Sequence, residues 1–178
     1  MLHYFFMRAL IIGRFQPFHN GHAMVAQEAK KYELIFAIGS AYESFTFENP
    51  FTAGERYEMI FSALKEKKIE RFHIIPVPDI NRYGVYVQHV EDIVPSFDVV
   101  ISNNLLIQQL FEREGYKVVE TSLFEREKYQ GKVIRQRIAE GKEWESLVPI
   151  SVAEFIKRIK GDERIRNLAK QDCKGRKI

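Results

Sequence analysis

Strand-like and helix-like patterns alternate along almost the whole chain, and this alternation narrows the fold to a parallel sheet with crossover helices on both faces. Short apolar runs at residues 9–12, 34–38, 72–77, 99–101 and 117–120 read as strands, with Pro76 and Pro78 expected to break the third. Helical periodicity covers 23–31, 85–94, 105–113 and 132–140, and Gly115 and Gly141 stand where C-terminal stops belong. Another helix opens at Thr52-Ala53-Gly54-Glu55, which has the form of a capping box. Two short capped helices are expected at the end, one opened by Ser151 with Glu154 and one by Asp162. A length of 178 residues suits one α/β domain and is short for two. The expected organisation is one domain over 1–170, a doubly wound, Rossmann-like parallel sheet with a helical C-terminal part, and a polar basic tail over 171–178.

Composition removes several classes. Hydrophobic residues make up 46% and charged residues 29%, the balance of a soluble globular protein. Of the net charge of +3, two units come from the tail, where Lys174, Arg176 and Lys177 stand against Asp172. The remaining +1 argues against a nucleic-acid-binding face. Cys173 is the only cysteine, which excludes an internal disulfide and fits a reducing cytoplasm. The apolar start at 2–6 is interrupted by Arg8 and falls far short of the ~20 residues of a membrane span; Met7 is the expected translation start. His3, His73 and His89 lack metal spacing, so no resident metal is expected and these histidines read as structural. Trp144 reads as packing.

The chemistry concentrates in Gly13-Arg14-Phe15-Gln16-Pro17-Phe18-His19-Asn20-Gly21-His22, between the first strand and the first helix. Ligands of open parallel sheets bind outside the carboxyl ends of the strands, where this loop must lie. Gly13 and Gly21 let the backbone approach a ligand closely, and the helix start offers free amides to phosphate oxygens. His19, His22 and Arg14 can donate hydrogen bonds to charge that grows in a transition state.

This loop carries the HxGH signature of the nucleotidyltransferase superfamily. The longer pattern resembles the archaeal-type nicotinamide-nucleotide adenylyltransferases: Gly39-Ser40 ends the second strand, Asn49-Pro50-Phe51-Thr52-Ala53-Gly54-Glu55-Arg56 opens a helix, and Trp144-Glu145-Ser146-Leu147-Val148-Pro149 and Ile159-Lys160-Gly161-Asp162-Glu163-Arg164 follow. The resemblance implies transfer of AMP from ATP to nicotinamide mononucleotide, with Mg²⁺ assisting, and a homo-oligomer of the hexameric kind. It implies that His19, His22, Arg14, Arg56 and Arg135 act on the phosphates, and that Gly13, Phe15, Gly21, Gly131 and Ile134 help bind ATP. It further implies acceptor contacts from Ser40, Asp79, Tyr86 and Asn104, with Tyr86 where the family commonly has Trp. For Tyr86 and Asp79 the alternative is core or capping duty. The chain departs from the family at Tyr83, Tyr86, Asn103, Gln130 and Lys132; in the second phosphate motif two hydroxyls are replaced by Gln130 and Lys132. Nicotinic acid mononucleotide, phosphopantetheine and flavin mononucleotide therefore stand as alternative acceptors, and a nucleotide-binding regulator with weak turnover as the alternative to an enzyme.

Overall fold

The computed structural model describes residues 6–122 and 127–175. Five strands form one parallel sheet: β1 (Arg8–Gly13), β2 (Glu33–Ile38), β3 (Phe72–Pro76), β4 (Val99–Ile101) and β5 (Lys117–Val119), in the order β3-β2-β1-β4-β5. Seven α-helices accompany them among the described residues: α1 (Asn20–Glu28), α2 (Ala53–Glu66), α3 (Tyr86–Glu91), α4 (Leu105–Arg113), α5 (Gly131–Ala139), α6 (Ile150–Arg158) and α7 (Gly161–Gly175). The doubly wound reading holds. Connections leave β1 toward β2 on one side and return to β4 on the other, so the order reverses between β1 and β4 and opens a crevice at their carboxyl ends.

Both faces of the central strands are covered, which explains their unbroken apolar runs. Ala9, Ile11, Leu34, Phe36, Ile38, Val99 and Ile101 face one layer, built with α1, α2, α5 and α6. Leu10, Ile35, Ala37 and Val100 face the other, built with α3 and α4. Trp144 is buried in the first layer, as expected of a packing residue.

Three boundaries differ from the sequence reading. Pro76 does not break β3 but pairs with Ile38 as its last residue; β3 is an edge strand, where a missing N–H costs no ladder bond on the open side. Ser151 and Glu154 form no capping box. The preceding Pro149 holds the N-cap position of α6, and Ser151 instead gives its N–H and hydroxyl to Glu66 on α2, at 2.9 and 2.7 Å. Asp162 lies inside the first turn of α7 and pairs with Arg166; that helix runs through Gly175, past the expected boundary at 170. His3, Arg176, Lys177 and the side chains of Asp172, Cys173 and Lys174 lie outside the described residues.

The Thr52–Glu55 capping box is present in both directions, at 3.1 and 2.9 Å. Arg164 of α7 then grips the same Glu55 carboxylate with two bonds of 2.7 Å, tying the C-terminal helix to the start of α2. Gly161 makes this approach possible, because a Cβ there would stand 2.7 Å from the buried ring of Phe51. Gly161→Ala is expected to cost about 1–3 kcal/mol of stability by overpacking, measured as a lower urea midpoint with an unchanged m-value.

Candidate active site

The loop after β1 is held from below by one arginine. Arg56 of α2 is fully buried, and each of its five N–H groups meets a backbone carbonyl: Nε that of Thr52, Nη1 those of Arg14 and Gly39, Nη2 those of Ser40 and Ala41, at 2.8–3.3 Å. Burial lowers its pKa to about 10, with Asp79 opposing and Arg14 adding to the shift, so it stays charged at neutral pH. The expectation that Arg56 acts directly on phosphates is corrected here. No N–H remains to donate, and its charge is spent drawing together the ends of β1 and β2. Gln16, which the sequence reading passed over, does similar work: its buried amide donates to the Phe51 carbonyl at 2.8 Å and accepts the Phe51 N–H at 2.9 Å.

Fixed in this way, the loop delivers His19 to the N-cap of α1 and His22 to its first turn. His19 Nδ1 accepts the His22 N–H at 3.4 Å, and His22 Nδ1 accepts the His19 N–H at 3.2 Å. Two imidazoles thus make the reciprocal capping box that Ser or Thr with Glu makes elsewhere. The rings stack at 3.5 Å with 19° between their planes, and His22 lies edge-on to Phe15 at 4.9 Å. Burial lowers His19 to about 3 and carries His22 well below 6.5, with the neighbouring His19 adding to the effect, so both rings are neutral near pH 7. A neutral imidazole has one N–H, and here Nδ1 of each ring is an acceptor. Each ring therefore carries its proton on Nε2 and offers that N–H to a ligand.

Both histidines line a cleft of about 520 Å³ at the switch between β1 and β4. Arg14, Gly21, Gln130, Gly131 and Lys132 line it together with the apolar Ile11, Ile12, Val25 and Ile101, and Ser102, Asn103, Asn104, Ser122 and Tyr129 complete the described lining. The N-termini of α1 and α5 meet there. They can, because Gly131 brings α5 so close that a Cβ would stand 2.7 Å from the Gln16 carbonyl, and Gly21 leaves room for Tyr129 and the His19 ring. The side chain of the N-cap residue Gln130 does not cap α5, and Gly131 and Lys132 of its first turn line the cleft, the end of a helix that suits an anion.

Not every expected contact is in this cleft. Arg14, His19, Gly21, His22 and Gly131 line it; Gly13, Phe15, Ile134 and Arg135 do not. Gly13 continues the ladder by accepting the Gly39 N–H at 2.9 Å. Phe15, with a left-handed φ of 50°, turns into the core under His22, and Ile134 is core as well. Arg135 is buried beside the loop, donating to the Gln16 carbonyl at 2.7 Å while its Nε lacks a partner; burial, and then Arg14, lower its pKa to about 10 against the pull of Glu48.

The expected acceptor contacts split. Ser40, Asp79 and Tyr86 come together beyond the ends of β2 and β3: the Ser40 N–H donates to Asp79 at 3.3 Å, and Tyr86 is half-buried against Phe111. Burial raises the Tyr86 hydroxyl to about 12, with Asp79 and Tyr83 adding. Asn104 sits apart from them, lining the main cleft on the β4 side of β1 and capping α4 through bonds from Leu106 and Ile107. Its neighbour Asn103 is tied to Thr121 through both ends of its amide. His73 pairs with Glu33 and His89 with the Pro78 carbonyl, so both are structural. Among the described residues, no three His, Cys, Asp or Glu side chains are grouped to hold a metal ion. Nor is any described helix long and apolar enough to cross a membrane.

Residues 10–158 match the cytidylyltransferase-like family. The nicotinamide-nucleotide adenylyltransferase of Archaeoglobus fulgidus is 48% identical over 173 residues, covering 93% of this chain and 99% of the relative. That of Pyrococcus furiosus is 48% identical over 167 residues, covering 91% of this chain and 89% of the relative. Among solved structures, a bifunctional NMN adenylyltransferase/ADP ribose pyrophosphatase from Francisella tularensis, complexed with AMP and manganese, has the same fold, with a TM-score of 0.73 at 18% identity. It is covered over 94% of this chain and 53% of its own, so the chain spans about half the length of that protein.

Two measurements follow from this geometry. An unfolded chain takes up protons on both histidines below pH 6.5 while the folded one does not, so stability is full above pH 6.5. It falls toward pH 3 by up to about 1.4 kcal/mol per pH unit for each ring. His19→Asn keeps a capping acceptor and removes one titrating ring, so denaturant titrations at pH 7.5 and 4.5 should show a shallower acid loss. His19→Ala should be about 1 kcal/mol less stable than His19→Asn at pH 7.5. Arg56→Lys leaves at least two buried carbonyls unpaired and should cost about 2 kcal/mol or more, read by the same titration at pH 7.5.

Proposed function

The chain belongs to the nicotinamide-nucleotide adenylyltransferases of the cytidylyltransferase-like family, and from that premise we propose that it transfers the adenylyl group of ATP to nicotinamide mononucleotide, forming NAD and pyrophosphate. The observation that carries the mechanism is the pair of neutral imidazoles, locked as Nε2–H donors where two helix N-termini meet. An oxygen of the acceptor phosphate attacks the α-phosphorus of ATP. That P–O bond forms as the bond to the bridging α,β-oxygen breaks, and the electron pair leaves on pyrophosphate. The acceptor phosphate has its second pKa near 6 and is largely ionised at neutral pH, so the attack needs no general base. Positioning and charge stabilisation remain as the protein's tasks. His19, His22, Arg14 and the free amides of α1 and α5 would supply hydrogen bonds to the triphosphate, while Arg56, Gln16 and Arg135 hold the loop that presents them.

Among the described residues, no carboxylate lines the cleft. Mg²⁺ is therefore assigned to the substrate, arriving on the phosphate oxygens of ATP. The half-buried Tyr86, beside Asp79 and Ser40, is the surface proposed for the acceptor's ring and ribose. The single cysteine supports a cytoplasmic site of action. The exposed, stacked pair Tyr57 and Phe61 on α2 supports a homo-oligomer, of the hexameric kind that family membership implies.

The direct test is incubation with ATP, Mg²⁺ and each candidate acceptor. NAD and equimolar pyrophosphate are expected with nicotinamide mononucleotide. Pyrophosphate only with nicotinic acid mononucleotide, phosphopantetheine or flavin mononucleotide would reassign the acceptor, and tight ATP binding with no product from any of them would make the protein a regulator. His19→Ala with His22→Ala should lower kcat by about 100-fold or more, since both donors aim at charge that develops in the reaction.

A further inference from the structure

At the end of the sheet opposite the catalytic cleft, two short loops bring four exposed cations together. Lys30 and Lys31 follow α1 and precede β2; Lys68 and Arg71 lie between α2 and β3. Because β2 and β3 are parallel neighbours, with the Leu34 N–H donating to the Arg71 carbonyl at 3.1 Å, the two loops stand side by side. With Ile69 and Glu70 they line a groove of about 400 Å³. The length of β2, at about 3.3 Å per residue, puts this groove roughly 20 Å from the carboxyl-end crevice. Four positive charges there face one negative charge, a local surplus as large as the formal +3 of the whole chain.

Ion pairing and helix capping do not account for that surplus. Among the described residues, none of the four cations pairs with a carboxylate. The end of α2 closes on backbone alone: the Lys68 N–H donates to the Lys65 carbonyl at 3.0 Å and the Ile69 N–H to the Leu64 carbonyl at 2.9 Å. Lys68 holds the left-handed position of that closure, with a φ of 56°, where glycine is the less strained residue. Arg71 is fixed in place, its guanidinium 3.9 Å from the centre of the Phe6 ring and its Nη2 donating to the Lys30 carbonyl at 3.4 Å. Its Nε and Nη1 meet no acceptor among the described residues.

We infer that this groove is a second anion site, which binds a linear chain of phosphates through Arg71 and the three lysines. A fixed guanidinium fork beside three ammonium groups on flexible stems suits a ligand that carries several oxyanions in a row. A nucleic-acid strand fits less well. The lining holds no aromatic ring for a base, and the nearby rings of Phe6 and Tyr32 each carry a cation on one face, Arg71 and Lys31. Inorganic polyphosphate and the tail of a nucleoside triphosphate offer the same chemistry. The site stands apart from the reaction proposed above, since none of its residues lines the catalytic cleft.

A nuclear magnetic resonance titration of the full chain with tripolyphosphate, without Mg²⁺, reads the two places separately: the amides of residues 30–31 and 68–71 report the groove, those of Gly21 and Gly131 the cleft. Saturable shifts are expected at the groove, with an affinity that falls as ionic strength rises. The triple variant Lys31→Gln, Lys68→Gln, Arg71→Gln should weaken groove binding about tenfold or more, and leave cleft binding and the KM for ATP within about twofold. Lys68→Gly removes one charge and relieves the left-handed backbone, so it should weaken groove binding about two- to threefold with a Tm equal to or above that of wild type. This variant separates lost charge from lost structure. ATP matching tripolyphosphate at the groove identifies a nucleotide tail as the source of the phosphates; a longer inorganic chain binding more tightly than ATP identifies inorganic polyphosphate. The inference is overturned if the groove amides do not respond to tripolyphosphate, or if the triple variant binds there as wild type does. It is also overturned if a single-stranded oligonucleotide of equal charge binds the groove more tightly than tripolyphosphate.

Discussion

Everything that faces substrate depends on a buried guanidinium that never reaches it. Arg56 gathers carbonyls from three places distant in sequence: the turn after β1, the end of β2 and the start of α2. Carbonyls that point inward at a loop are expensive unless paired, and a planar donor with five N–H groups pairs them all at once. Among the described residues the charge has no carboxylate in contact; it is balanced by the negative ends of five carbonyl dipoles, with the exposed Asp79 helping from a distance. Gln16 adds a second tie between the same loop and Phe51. A loop of irregular backbone thereby gains the rigidity of the sheet edge it leaves.

That rigidity matters because the two histidines cap a helix and line the cleft at the same time. Their Nδ1 atoms close the first turn of α1, a job usually left to hydroxyls and carboxylates. The choice of residue has a chemical result: a Ser and Glu box would leave the ligand facing an anion, whereas imidazoles capping through Nδ1 leave N–H groups on their outer edges. Burial keeps the rings uncharged, and the same pairing sets the tautomer. Local helix geometry, rather than a further hydrogen-bonding residue, therefore determines which nitrogen is left with its N–H free of the cap.

Much of this was legible before the structure. The strand and helix order, the Thr52–Glu55 box and the placement of His19, His22, Arg14 and Gly21 around one cleft follow from periodicity and from a loop at the switch point, while Gly131 came only from the family resemblance. What sequence could not separate was contact from support. Arg14 and Arg56 look alike as letters, yet one lines the cleft and the other is consumed by carbonyls; only the path of the chain between β2 and α2 distinguishes them. Phe15 and Ile134 belong to the phosphate motifs but point into the core, Phe15 because its left-handed backbone turns it inward and Ile134 because helix periodicity puts it on the buried face of α5. Asn104 was grouped with Ser40, Asp79 and Tyr86, although β4 and β3 lie on opposite sides of β1. Gln16 had a signal that could have been used, a polar residue held between Phe15, Pro17 and Phe18 in a run that had to be buried.

Support and contact also divide the charge. Three arginines surround the loop, and the two that are buried have their pKa values pulled down by burial, with Arg14 adding in each case. Clustering cations in this way raises the local potential without placing each of them on the ligand, so a polyanion entering the cleft meets a field that the protein has already paid to assemble. Neutral donors at the contact surface then suit both sides of the reaction: they bind an anionic ground state without the strong desolvation a buried cation would suffer, and they strengthen as charge moves onto the departing oxygen. The sequence blocks that carry the resemblance hold cleft-lining residues such as His19 and His22 together with buried supports such as Arg56, which is why a motif match identifies the reaction sooner than it identifies which side chains perform it.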